Sequence, residues 1–170
     1  MKKLVLPALL ALTLAACSST GPEATDTSAQ NGGAGVATVT AGSASGSGIA
    51  ALTDPNNILS KRSVFFDFDS YVIKQEARAL VEAHARFLVQ NPQMRMLIQG
   101  NTDERGSREY NLALGQKRAD VVKQALMLLG AKEAQIESVS LGEEKPRCED
   151  RTEACYGENR RGDMLYSGEF

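Results

Sequence analysis

Apolar residues change their spacing several times along this chain, and each change marks a boundary. Leu4 to Ala16 form an almost unbroken apolar run behind Lys2 and Lys3, and the small residues Ala15 and Ala16 stand before Cys17. This is the pattern of a secretory signal peptide over residues 1–16, too short for a membrane-spanning helix of about 20 residues. Periodicity then disappears. From Ser18 to Asn57, 27 of 40 residues are Gly, Ser, Ala or Thr, and only Glu23, Asp26 and Asp54 are charged. Such a stretch cannot bury enough apolar surface to offset its ordering entropy, so residues 17–57 are expected to be a flexible tether with a root-mean-square span of about 35 Å. Regular spacing returns in residues 58–170. Ser63 to Phe68 reads as a strand; Ile73, Ala77, Leu80, His84, Phe87 and Leu88 share one helical face until Asn91-Pro92. Met94 to Gln99 reads as a second strand, Ser107 to Leu129 as a long helix closed by Gly130, Ile136 to Leu141 as a third strand and Gly162 to Ser167 as a fourth. The β-α-β-α-β-β order predicts an α/β domain, an α+β sandwich. In it a mixed four-stranded sheet carries both main helices on one face, joined by right-handed crossovers.

Composition narrows the function. Nineteen basic against 21 acidic residues leave a formal charge of −2, aromatics are 5% and tryptophan is absent, so neither a positive field nor a stacking platform recommends nucleic acid as a partner. The most informative stretch is Gly100-Asn101-Thr102-Asp103-Glu104-Arg105-Gly106-Ser107, a polar loop that ends at a helix N-terminus, where unpaired N–H groups favour an anion and Ser107 suits the N-cap. In the helix that follows, Leu114, Val121, Val122, Ala125, Leu128 and Leu129 define an apolar stripe with Arg118 near its centre and Asn111 on its edge. A guanidinium facing the core is costly unless it meets a partner. Two partners are open: an internal carboxylate, Asp103, Asp67 or Asp69, or a ligand whose carboxylate meets Arg118 while its ammonium meets Asp103. An enzyme is not expected. Asp67, Asp69, Asp103 and Glu104 lack an acid-raising apolar setting, Asp67 and Asp69 alternate along a strand, and the single histidine, His84, falls on an apolar helix face as a core residue. No metal cluster, cofactor loop or nucleophile emerges.

Two resemblances sharpen this. Leu14-Ala15-Ala16-Cys17 resembles the bacterial lipobox. That resemblance implies a lipidated Cys17 with three acyl chains, and Ser18 after it implies sorting to the outer membrane, leaving the domain in the periplasm. With that cysteine committed to lipid and no histidine nearby, Cys148 and Cys155, seven apart in an exported chain, are expected to form a disulfide rather than a metal site. Further along, Asn101-Thr102-Asp103-Glu104-Arg105-Gly106-Ser107, Tyr110-Asn111, Leu114-Gly115 and Arg118-Ala119 are similar to the signature of the OmpA-like peptidoglycan-binding domain. Phe66-Asp67-Phe68-Asp69, Gly142 to Pro146 and Asn159-Arg160-Arg161 extend the match. The resemblance implies noncovalent recognition of the diaminopimelate residue in the peptidoglycan stem peptide. Asp103 and Arg118 carry over as the main contacts, with Thr102, Asn111 and the backbone of Phe68 and Asp69 completing the pocket. It also implies a TolB-like periplasmic protein as second partner. Asn101 stands where many members have histidine, Gly162 replaces a larger residue and should loosen the last strand, and the Cys148/Cys155 pair is not a general feature of the family.

Overall fold

The computed structural model describes residues 47–170. The expected signal peptide, the lipidation site Cys17 and the tether as far as residue 46 lie outside the described residues. Eight elements follow: α1 (Ser47–Thr53), β1 (Ser63–Phe65), α2 (Arg78–Gln90), β2 (Met96–Asn101), α3 (Arg108–Leu128), β3 (Ile136–Gly142), α4 (Glu153–Asn159) and β4 (Arg161–Tyr166). The strands form one sheet in the order β1-β4-β2-β3. β2 and β3 run parallel, as a crossover through α3 requires, while β4 pairs antiparallel with both β2 and β1. The mixed four-stranded α/β fold read from the pattern is the fold observed.

Local chemistry sets the helix ends. The Ser107 hydroxyl accepts the Tyr110 N–H at 3.2 Å, and Gly130 turns the chain away from α3 with φ +103°. α2 stops where the Asn91 N–H bonds back to Leu88 and Phe87 just before Pro92. One core joins both helices to the sheet: Val81, Ala85, Phe87 and Leu88 of α2 and Ala119, Val122 and Leu126 of α3 meet Val64, Met96, Ile98, Met164 and Tyr166. Met96 and Ile98 alternate with less buried neighbours, as a strand covered on one face should. His84 is fully buried, its Nε2–H donating to the Lys61 carbonyl and its Nδ1 accepting the Tyr166 hydroxyl, both at 2.8 Å. That is a satisfied core histidine.

Four expectations are corrected. β1 ends at Phe65, so Asp67 and Asp69 do not alternate on a strand; Asp69 has a left-handed φ of +51°. The buried face of α3 is Asn111, Leu114, Gly115, Arg118, Ala119, Val122 and Leu126, while Leu128 and Leu129 are exposed, because the helix outruns the sheet in its last turn. Between the third and last strands, where no regular element was read, α4 forms; it leads into β4, whose start holds Gly162, paired with Val64 and Gly100. Finally, the stretch read as tether is ordered at its end, where α1 places Leu52 in the core and the Leu52 carbonyl accepts from Arg62 at 3.0 Å.

Candidate binding site

α3 and the β2–α3 loop face the segment that leaves β1. From the centre of α3, Arg118 reaches across and donates through Nε to the Ser70 carbonyl (2.8 Å), through Nη1 to that of Asn101 (2.9 Å) and through Nη2 to that of Asp67 (3.1 Å). Its guanidinium lies 5.3 Å from the Phe66 ring centroid and the residue has no exposed surface. Burial lowers its pKa to about 10, so it stays a cation at neutral pH. Among the described residues, no carboxylate is within ion-pairing distance of it. The internal pairing of Arg118 with Asp103, Asp67 or Asp69 that spacing left open is therefore absent: the buried charge is held by carbonyl dipoles, which orient it without neutralising it.

Asp103 has other partners. Its Oδ1 accepts the Arg105 backbone N–H at 3.1 Å, and its Oδ2 accepts Arg105 Nη2 at 2.6 Å and Arg160 Nη1 at 3.1 Å. Burial alone would raise its pKa, but the hydrogen bonds from Arg105 and Arg160 outweigh it and hold the carboxyl below its ordinary value. A carboxyl kept this ionised is no proton donor. Arg105 is in turn layered between aromatic rings, with centroids of Phe68 at 4.2 Å and Tyr156 at 4.4 Å.

Phe68, Asp69, Thr102, Asp103, Asn111 and Arg118, all six expected ligand contacts, line one cleft of about 180 Å³ together with Arg105, Gly106, Tyr110, Leu114 and Arg160. Tyr110 donates its hydroxyl to the Asp69 carboxylate, and Asn111 donates to Glu143. The Thr102 hydroxyl is buried and has no hydrogen-bond partner among the described residues. Asn101 contributes its carbonyl to Arg118 but does not line the cleft; its side-chain amide donates to Gln99. Cys148 and Cys155 are bonded, with Cα atoms 5.3 Å apart. Sequence reasoning gave no role to Arg105, Arg160 or Tyr110. Arg105 and Arg160 stand 55 positions apart, so only the fold brings them onto one carboxylate, although Asn159-Arg160-Arg161 was a recognisable motif.

Comparison with known proteins places the chain in a family. Residues 65–160 match the OmpA family. The peptidoglycan-associated lipoprotein of Pseudomonas aeruginosa is 38% identical over 163 residues, spanning 92% of this chain and 94% of that protein. Its namesake from Pasteurella multocida is 47% identical over 104 residues, 61% of this chain and 69% of that one. The crystal structure of the peptidoglycan-associated lipoprotein from Burkholderia pseudomallei superposes with a TM-score of 0.68 at 56% identity, covering 69% of this chain and 99% of that chain.

Proposed function

Because this chain belongs to the OmpA family, and within it to the peptidoglycan-associated lipoproteins, we propose that it is an outer-membrane lipoprotein that ties that membrane to the cell wall by binding the diaminopimelate of the stem peptide without chemistry. The family binds the wall rather than cutting it. Lipid on Cys17 supplies the anchor and the segment after it the reach; a TolB-like periplasmic protein is the second partner, in the Tol-Pal system that supports envelope integrity and division.

The observation that carries the reading is a buried cation with no carboxylate beside it, in the same cleft as a carboxylate with a spare acceptor position. A guanidinium has five N–H groups, and Arg118 uses three on backbone carbonyls. One hydrogen remains on each of Nη1 and Nη2, and Arg118 lines the cleft, so these are the donors left for a carboxylate. An ionised carboxylate offers about four acceptor positions, and Asp103 uses three. The position left on Oδ1 suits an ammonium. Diaminopimelate in an uncrosslinked stem presents an ammonium and a carboxylate on one carbon at its free end, so a single zwitterion answers both groups.

Titration calorimetry on the full-length chain tests this. The stem tripeptide L-alanyl-γ-D-glutamyl-meso-diaminopimelate is expected to bind at least about tenfold tighter than the same tripeptide with lysine in third place, whose α-amino group is acylated and whose side chain ends in an ammonium with no carboxylate beside it, since losing one charged pair costs about 2 kcal/mol or more. Equal affinities would sink the proposal.

A further inference from the structure

Helix α4 carries no residue that touches Arg118, yet two of its side chains hold the groups around Asp103. Glu153 bridges both guanidiniums on that carboxylate: Oε1 accepts Arg160 Nη2 at 2.7 Å, and Oε2 lies 3.2 Å from Arg105 Nη1. Tyr156, one turn on, puts its ring against the Arg105 guanidinium and donates its hydroxyl to Glu104 at 3.1 Å. The helix is itself fastened to the preceding loop. Cys155 is bonded to Cys148, the Thr152 hydroxyl caps the Cys155 N–H at 3.3 Å, and Asn159 accepts from the N–H groups of Arg147 and Cys148 while donating to the Cys148 carbonyl at 2.6 Å. α4 is thus a stapled bracket whose working end is on the cleft wall.

We infer that Glu153 and Tyr156 are positioning residues for ligand recognition, acting through Arg105 and Arg160 on Asp103. The inference rests on the recognition proposed above and deepens it. Charge supplies the reason. Two guanidiniums against the single carboxylate of Asp103 would leave that end of the cleft net positive and repel an ammonium. Glu153 adds the second negative charge and balances the group two against two. It also fixes direction: each guanidinium is held by one edge on Glu153, so it meets Asp103 through its other edge and leaves part of Oδ1 open. Tyr156 and Phe68 keep Arg105 in its plane.

This arrangement makes Glu153 specific to the ammonium half of the ligand. The test uses meso-diaminopimelate and pimelate, the same seven-carbon dicarboxylate without amino groups, titrated into the full-length chain and into Glu153→Gln. Replacing the carboxylate by its amide removes the balancing charge with little change of shape. Diaminopimelate should bind Glu153→Gln at least fivefold more weakly, while pimelate should bind no worse, so the ratio of the two affinities falls at least fivefold. A merely structural defect would weaken both alike. The Cys148→Ala, Cys155→Ala double variant, which touches neither Arg105 nor Arg160, should lower the same ratio by releasing α4; it decides the matter if Glu153→Gln does not fold. An unchanged ratio in the folded variants overturns the role of α4 and leaves the proposed recognition standing. Failure of the unaltered chain to bind diaminopimelate overturns both.

Discussion

Arg118 both shapes the cleft and lines it. Its three donors tie the carbonyls of Asp67 and Ser70, on the segment after β1, to that of Asn101 at the end of β2. A lysine there keeps the charge but is a point donor that cannot span three carbonyls with planar geometry. Arg118→Lys is therefore expected to lower stability by at least about 2 kcal/mol, since buried acceptors without partners cost about 1 to 3 kcal/mol each, and to abolish diaminopimelate binding. Urea denaturation and calorimetry on the same preparation check it; wild-type stability with wild-type affinity would refute it. That Arg118 faces the core could be read from helical spacing alone. Its partners could not, because carbonyl acceptors leave no mark in a sequence.

At the scale of elements, the cleft depends on how closely α3 approaches the sheet. Gly115 on α3 and Gly100 on β2 let the two backbones touch: a Cβ built on Gly115 would lie 2.7 Å from the Gly100 carbonyl oxygen, and one built on Gly100 would collide with the Gly115 carbonyl. A Cβ on Gly115 would also meet the Ser140 hydroxyl, which can turn away, but the two carbonyls are backbone and cannot. Gly100→Ala must push α3 off β2 and carry Arg118 with it, so we expect a loss of about 1 to 3 kcal/mol or more and weaker ligand binding. Gly162→Ala is the control. Its Cβ would meet Phe66 and Val122 at 3.6 and 3.7 Å, ordinary contact distances, and its melting temperature should stay close to that of the unaltered chain. Comparable melting of the two variants would count against the close-approach argument. The glycine in the Leu114-Gly115 pair was visible in the sequence; that it faces Gly100 follows only from the register of helix against strand.

Over the whole molecule, one buried base links folding to acidity. His84 sits between Lys61 and Tyr166, where removal from water outweighs the stabilising bond to the Lys61 carbonyl and lowers its pKa from 6.5 to about 4. The unfolded chain binds the proton first, so this contribution to stability is complete above about pH 6.5 and is lost as pH falls through about 4. The difference amounts to on the order of 3 kcal/mol. Stability measured by urea at several pH values should therefore fall between pH 6.5 and 4, and His84→Gln, less stable at neutral pH, should show a flatter slope there. Equal slopes would remove His84 as the cause.

The four strands, the two main helices and their order, the candidate cleft residues and the burial of His84 were legible in the chain because each rests on local spacing or on a short motif; the short helices α1 and α4 were not. Period-two and period-3.6 apolar runs select strands and helices by sterics within a few residues, and the loop from Gly100 to Ser107 carries its own turn and cap chemistry. Boundaries were less legible. β1 stops at Phe65 because the chain must turn at Asp69 to bring its carbonyls to Arg118, and α1 forms in a Gly- and Ala-rich stretch because Leu52 finds a core to enter. Tertiary structure alone decided which charges meet. In the sequence, Arg105, Arg118 and Arg160 are all open as partners of Asp103, and Coulomb attraction gives no preference among them; the sheet order and the stapled α4 put Arg105 and Arg160 on Asp103 and leave Arg118 among carbonyls.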